Sequence, residues 1–346
     1  MKKSLLALAV LGAFAASAQA QTAVTIYGSF DGGVRHVTDA QAAAGGAIGS
    51  RTTMGSNGTF NSNRIGFKGV EDLGGGLNAH FTLETGFNTG TGALDNATNQ
   101  LFNRSAFVGL GGSWGSLDFG RQYSVNFKTI GLYDPFVYKY TAIIPLAAQG
   151  GLTRLNNDIQ YAGTFGPITA RAEYALGEQV GSTSDGATTA VGASYAAGPL
   201  TVGAAYTKAN RAVGTTFLDF DNWTVGGAYV MGPFRVAAGY AKGTQDTSAT
   251  TENETKDAWL GGSYNLSPAA QVSLAYYRTT ADVSGVQAAR RSLVILGGTY
   301  ALSKRTNFYA DLDVASLKGA SRLVETATGR VEDRVTGFSV GINHLF

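Results

Sequence analysis

The chain has 346 residues, 48 of them glycine and none cysteine, which excludes a disulfide scaffold and any thiolate metal site. Its formal charge of +2 comes from Lys2 and Lys3; without them 24 basic residues face 24 acidic ones, a balance that offers nothing to a nucleic-acid partner. A chain of this length suits roughly one to three soluble domains or one large barrel, and no Pro-rich linker or block of like charge divides it.

In chain order, Lys2 and Lys3 precede an apolar run over 5–16, and Ala18-Gln19-Ala20 places small residues at the −3 and −1 positions. This predicts a secretory signal peptide over 1–20, cleaved before Gln21, with a retained N-terminal anchor as the alternative. The remainder, 21–346, reads as one domain. It contains no apolar run near the ~18 residues of a spanning helix.

Period-2 alternation instead marks sixteen strand candidates, near 24–36, 62–71, 77–88, 102–111, 115–122, 155–164, 167–177, 188–197, 200–209, 221–231, 233–243, 256–266, 270–280, 290–301, 306–315 and 334–346. Most are long enough for a tilted strand to cross a bilayer, and an even number returns both termini to one side. Short connections such as 71–76 alternate with longer polar ones such as 88–101 and 243–255. A soluble sandwich, the alternative, has no reason to sort its loops this way.

Tyr161, Tyr195, Tyr229, Tyr264 and Tyr300 recur every 34 to 36 residues, each a few positions before a turn such as Gly166-Pro167, Gly198-Pro199 or Gly232-Pro233. Aromatics at one end of every returning strand suit anchors at a membrane surface. Along 306–315, Phe308, Ala310, Leu312 and Val314 alternate with Asn307, Tyr309, Asp311 and Asp313. The first set is expected against lipid and the second against a wet interior, because two carboxylates in a dry core would be expensive. The fold class is therefore all-β, a transmembrane antiparallel barrel of 16 strands, closed because lipid tolerates no free sheet edge.

One connection stands out. Between Tyr123 and Asn156 lie 32 residues, far beyond an ordinary loop. It carries Phe127, Ile130, Leu132, Phe136, Val137, Ile143, Ile144 and Leu146, which suit packing against an inner wall, although an external flap is the alternative. Its charged residues are Lys128, Asp134 and Lys139.

Family-level likeness is carried by Asn63-Arg64-Ile65-Gly66-Phe67-Lys68-Gly69-Val70-Glu71-Asp72-Leu73-Gly74, by Asn103-Arg104-Ser105-Ala106-Phe107-Val108-Gly109-Leu110, and by Leu117-Asp118-Phe119-Gly120-Arg121-Gln122-Tyr123. With the opening Val24-Thr25-Ile26-Tyr27-Gly28 and the closing Val340-Gly341-Ile342-Asn343-His344-Leu345-Phe346, these segments resemble general porins of Gram-negative outer membranes, in particular the β-proteobacterial branch. The resemblance implies a homotrimer of 16-stranded barrels among outer-membrane lipids and lipopolysaccharide, with short turns and both termini periplasmic. Each barrel is then a passive diffusion pore for small hydrophilic solutes and inorganic ions, and its third loop folds into the pore.

The resemblance also implies a wall of basic residues facing acidic groups on the inward loop. Arg64, Arg104 and, with weaker local similarity, Arg154 match the wall. Lys68 shares the face of Arg64 and Gly66, and Arg35 has the parity of Ser29, which stands where the family often has a basic residue. Alternation groups Arg104 with Ala106, opposite Ser105 and Phe107. Asp134 is the clearest acidic counterpart on the loop, and Asp31, Glu84, Asp118 and Asp158 are further candidates. With Lys128 and Lys139 counted, seven cations face five anions, which predicts a weak anion preference. The alternatives are a substrate-specific channel and an adhesin or structural barrel.

No enzyme is indicated. His36, His80 and His344 lack metal-ligand spacing and a neighbouring nucleophile, and Gly111-Gly112 has no phosphate-binding context, so neither cofactor nor metal is expected. At the C-terminus, Phe338, Val340, Ile342, His344 and Phe346 share one face. The resemblance makes Phe346 part of a signal read by the barrel assembly machinery. It also places Ile26, Phe30, Val340 and Ile342 at a trimer interface, with 89–100 reaching toward a neighbouring subunit.

Overall fold

The computed structural model describes residues 23–346 apart from 42, 56, 142, 145 and 249, so the expected signal peptide lies outside the described residues. One sheet contains seventeen strands: β1 (Ala23–Gln41), β2 (Ile48–Met54), β3 (Arg64–Gly74), β4 (Leu77–Gly86), β5 (Ser105–Gly112), β6 (Gly115–Tyr123), β7 (Arg154–Phe165), β8 (Ile168–Ala175), β9 (Thr188–Ala197), β10 (Leu200–Val213), β11 (Thr216–Met231), β12 (Phe234–Asp246), β13 (Glu252–Asn265), β14 (Ala270–Val283), β15 (Val286–Ala301), β16 (Thr306–Gly319) and, past a small hairpin of β17 (Leu323–Val324) and β18 (Val331–Glu332), β19 (Arg334–Leu345). All neighbours are antiparallel. The sheet closes where β1 pairs β19 from Ser29↔Leu345 to Val37↔Gly337.

The other edge of β1 is shared. Its first half pairs β3, from Ala23↔Val70 to Ser29↔Arg64, and its second half pairs β2, beginning at Val34↔Met54. β2 and β3 are thus two pieces of one stave, and the seventeen strands make a 16-strand transmembrane barrel. Alternation had placed 37–61 in a single loop. The chain between the two pieces dips into the lumen because Asp31 gathers it: its carboxylate accepts the backbone N–H of Phe60 at 3.0 Å and of Asn61 at 2.7 Å. The Tyr309 hydroxyl donates to the same carboxylate at 2.7 Å.

Several strands also run further than the alternation suggested. β10 continues to Val213 and β15 begins at Val286. The apolar member of each pair disappears where the wall leaves lipid, while the backbone ladder continues into water. At the opposite end the connections are tight. Gly166, Gly198 and Gly232 take φ of 58°, 54° and 56°, conformations that disfavour a Cβ. The prolines that follow them offer carbonyls to Ala196, Val230 and Asn265 of the neighbouring stave at 2.9, 2.9 and 3.0 Å.

Burial is inverted relative to a water-soluble domain. Ile26, Phe30, Leu260, Leu274, Leu296, Phe308 and Val340 are exposed around the outside, whereas Asp31, Glu84, Asp118, Asn222, Asp257, Asp311 and Asp313 are buried inside. Phe338, Val340 and Ile342 are exposed together, and Phe346 ends over Gly28 of β1.

The long connection after β6 fills one side of the lumen. It opens with α1 (Val125–Ile130), whose cap Ser124 accepts from the Phe127 amide at 3.2 Å. Beyond the helix, Ile130, Tyr133, Phe136, Tyr140 and Ile143 join Trp259, Tyr277, Leu293, Ile295 and Tyr309 of the wall in one apolar cluster. Wall glycines make room for it: a Cβ on Gly226 would stand 2.2 Å from the Tyr133 ring, and one on Gly297 would meet the Tyr140 hydroxyl at 2.0 Å. The Glu173 carboxylate receives the Val125 N–H at 2.9 Å, at the helix N-terminus where negative charge is favoured.

A side chain at a glycine seat should lift this segment. Tyr133 is fully buried, so it has no room to yield, and overpacking of this kind destabilises by roughly 1–3 kcal/mol. The Gly226→Val protein is expected to be cut by trypsin at Lys128 or Lys139 while the unaltered protein resists. Equal resistance of the two would refute the seating.

Candidate functional site

The packed half of the lumen leaves the other half open, between the inward segment and the wall of β3–β7. Glu84 organises that wall from its buried position on β4. It accepts Arg104 Nε at 2.7 Å and the Tyr27 hydroxyl at 3.0 Å, and lies 3.8 Å from Arg64 Nε. One hydrogen-bond step further, the Tyr123 hydroxyl at the end of β6 accepts from Arg104 at 2.6 Å and from Arg154 at 2.9 Å. The Arg154 and Arg104 guanidinium groups also sit 4.5 and 5.9 Å from the centre of the Tyr123 ring, which stacks with Phe127 of the inward segment. Arg64, Arg104 and Arg154 therefore form one cluster, linked by a carboxylate and a phenol.

A fourth arginine belongs with them, and strand parity misplaces it. Simple alternation puts Arg121 beside the exposed Phe119, on the lipid side. The β6–β7 register shifts here: Gly120 pairs Asp158 and Gln122 pairs Leu155, so β7 carries the extra residue, with Asn157 at φ 53°, and the Arg121 side chain lines the same cavity as Arg104 and Arg154. Its Nε donates to the Asn103 carbonyl at 2.7 Å and another nitrogen donates to Asn156 Oδ1. The signal in the sequence is the Asn156-Asn157 pair, since asparagine tolerates the left-handed conformation that Asn157 adopts.

Parity also fails at Arg104, in the opposite sense. Ala106 lies on the side of the exposed Val108 and Leu110, whereas Ser105 is buried and Phe107 packs edge-on to the inward His80. The grouping of Arg104 with Ala106 as an inward pair is therefore wrong. Arg104 precedes β5, outside its regular alternation, and its side chain still reaches Glu84.

The remaining expected site residues separate. Arg35 points inward but is paired, donating twice to Asp313 at 2.6 and 3.0 Å and once to Ser339. Lys68 lies 5.4 Å from the centre of the Tyr27 ring. Lys128 is turned under α1, donating to Gln122 at 3.3 Å and to Gln160; burial lowers its pKa, with Asp118 and Glu173 opposing that shift. Asp134 does not face the arginines. It is 1 % exposed and accepts the Tyr277 hydroxyl at 2.7 Å and the backbone N–H groups of Phe136 and Tyr138, so it fastens the segment to the wall; burial raises its pKa. At the start of 89–100, Thr89 donates to the Asp31 carbonyl at 2.7 Å, and just before it the Phe87 ring lies 5.0 Å from the exposed Phe30.

Lys139 is the loop cation on the arginine side, with its ammonium 5.4 Å from the centre of the Phe60 ring. With it the open half holds five cations, Arg64, Arg104, Arg121, Arg154 and Lys139, against Glu84 and Asp95, a local excess of three. Burial, then repulsion from Arg64, pushes Lys139 down to about 8, with Asp31 opposing the shift.

The sequence matches the family described as Gram-negative porin over residues 7–320. It is 33% identical to outer membrane porin protein 32 of Delftia acidovorans, with 100% of both chains covered. An outer membrane porin protein of Bordetella pertussis is 46% identical over 146 residues, which span 39% of this chain and 37% of that protein. Among solved structures, an anion-selective porin from Comamonas acidovorans superposes with a TM-score of 0.78 at 28% identity, covering 94% of this chain and 100% of that one. OmpT of Vibrio cholerae shares the fold, with a TM-score of 0.69 at 15% identity and coverage of 94% and 98%.

Because Lys139 loses its proton near pH 8 rather than near the ordinary lysine value, the local excess falls by one charge across that pH. In a fixed KCl gradient, anion preference should therefore decline between about pH 6.5 and 9.5, with its midpoint close to 8. Lys139→Met should show the lower preference throughout and no such step. A flat profile in the unaltered protein would refute the placement of Lys139 beside the ion path.

Proposed function

The chain belongs to the Gram-negative porin family, and we propose that it is a passive, weakly anion-preferring diffusion channel narrowed by its inward segment. It is a porin-type channel of the outer membrane, with no chemistry to perform on what passes. The observation that carries the anion preference is the local excess at the open half of the lumen: five cations against two carboxylates. Guanidinium groups keep their charge when crowded, so the excess does not relax by proton loss at the arginines. A charge lining of one sign favours counter-ions at a narrow point. The Comamonas protein, 28% identical in sequence, is described as anion-selective, which supports the same reading here.

The preference should be modest. Arg104 and Arg64 share Glu84, and the reach of each charge shrinks to about 10 Å at 0.1 M salt. In planar bilayers under a KCl gradient, the reversal potential should report anions over cations. Replacing Arg64 and Arg104 together by glutamine should reduce that preference, and raising the salt should weaken it. A cation preference in the unaltered protein, or no change in the double variant, would refute the assignment.

For assembly, the proposal is a homotrimer inserted by the barrel assembly machinery after loss of residues 1–20. Exposed Ile26, Phe30, Val340 and Ile342 lie on neighbouring staves β1 and β19 and suit a closed cyclic contact. Phe346 lies on the outer side of the closing seam, where it covers Gly28. Deleting Phe346 should lower the amount of folded protein in the outer membrane, and the extracted protein should have the detergent-corrected mass of three chains. Undiminished insertion would sink the role of Phe346, and a one-chain mass the trimer.

A further inference from the structure

A second stretch of chain enters the lumen, and it grips the tip of the first. Between β2 and β3, residues 57–63 close on themselves where the Asn63 N–H donates to the Asn57 carbonyl at 2.6 Å. The stretch is anchored beside the seam of the barrel. Asp31 of β1 accepts the amides of Phe60 and Asn61 and the hydroxyl of Tyr309 from β16, and the Asn61 side-chain amide donates to Ser29 of β1 at 2.8 Å. Asp31 and Ser29 are fully buried, so a donor that lost either of them would find no water in exchange.

The tip of the long inward segment has a backbone that needs holding. Val137, Tyr138 and Tyr140 take φ of 51°, 58° and 60°, left-handed conformations that residues with a Cβ keep only where their surroundings enforce them. Tyr138 is held from within the segment, its ring stacked on Phe127 at 4.1 Å between centres. Tyr140 is held by the second stretch: its N–H donates to the Phe60 carbonyl at 2.8 Å, and its ring meets the Phe60 ring edge-on at 5.2 Å. Beside it the Thr141 hydroxyl donates to the Gly58 carbonyl at 3.2 Å. Phe60 in turn stacks on Tyr309, whose hydroxyl is the one bound to Asp31. Behind the tip, Tyr140 fills the seat at Gly297; in front of it lies the open half of the lumen, which Lys139, Thr141 and Ile144 border. A tip that came loose could move only into that open half.

We propose that residues 57–63 are a bolt that holds the tip back from the ion path, with Asp31 as its positioning residue. With the bolt home, the strained tip stays against the wall and the open half stays clear. With Asp31 removed, the amides of Phe60 and Asn61 lose their acceptor, the stretch leaves its seat, and the tip leans across the passage. One buried carboxylate that touches no permeating ion thereby sets how steadily the channel stays open. The bolt rests on the channel reading above.

Single-channel recording in planar bilayers at constant KCl tests it. Partial closures should be rare in the unaltered protein. Asp31→Ala should raise the time spent in them roughly tenfold, the shift expected for losing one charge-assisted hydrogen bond. Asp31→Asn keeps one acceptor oxygen and should fall between the two. Phe60→Ala leaves Asp31 intact but removes the ring between Tyr140 and Tyr309, and should also raise partial closure. Asp39→Ala breaks an ion pair with Arg330 elsewhere on β1 and should leave the current steady. A merely structural role for Asp31 would lower the amount of inserted protein and leave the surviving channels as steady as before. If Asp31→Ala fails to insert, Asp31→Asn and Phe60→Ala still decide the matter. Steady currents in the variants that insert, or equal closures in Asp39→Ala, would overturn the bolt. A protein that inserts but conducts no ions would instead overturn the channel reading beneath it.

Discussion

Hydrocarbon offers no partner to a backbone N–H or C=O, and the rest of the structure depends on that fact. It requires a ladder without an edge, which β1 and β19 complete. Closure then decides the side chains: alternate positions meet lipid or the lumen, so Phe308 and Leu312 lie outside while Asp311 and Asp313 lie inside. Sixteen staves enclose more space than wall side chains can fill. An inward-folded segment is the consequence, and it must be fastened to a wall that is largely polar.

That fastening divides the lumen. Over β8–β16 the wall offers glycine seats and aromatic partners, and Tyr133, Phe136 and Tyr140 pack there. Over β3–β7 it offers arginines, and the segment turns toward them a thinner surface that includes Lys139, Ile144 and Leu146. A dry contact on one side and a charged gap on the other arise together from one placement.

Much of this was legible in the sequence because lipid imposes a period of two. Strand number, closure, the apolar outer face and the exceptional connection after Tyr123 all follow from alternation and spacing. What alternation misjudged has particular causes. Where the wall rises out of lipid the apolar partner is no longer needed, so the ends of β10 and β15 lost their signal. The break in the second stave is made by Asp31, whose bonds to the amides of Phe60 and Asn61 cross between strands and leave no local pattern. The bulge opposite Arg121 lies on β7 at Asn157, where no alternation marks it, and Arg104 is misgrouped by counting parity past the end of β5. Arg64, inside a regular stretch of β3, needed no such correction.

The same bonds explain how a chain with balanced charge holds a positive gap. Inward-folded backbone has N–H groups that need acceptors, and carboxylates provide them. Asp31 serves Phe60 and Asn61, Asp134 serves Phe136 and Tyr138, Glu173 serves Val125, and Asp257 serves Ala148 at 2.7 Å. An arginine cannot take that role, since a guanidinium accepts no hydrogen bond. Folding the segment inward therefore draws acids into structural contacts and leaves Arg121 and Arg154 without carboxylate partners among the described residues. Where a wall acid is not held by such backbone, as with Asp313 beside Arg35, the cation is paired instead. The field of the open half is thus a by-product of how the inward segments are held.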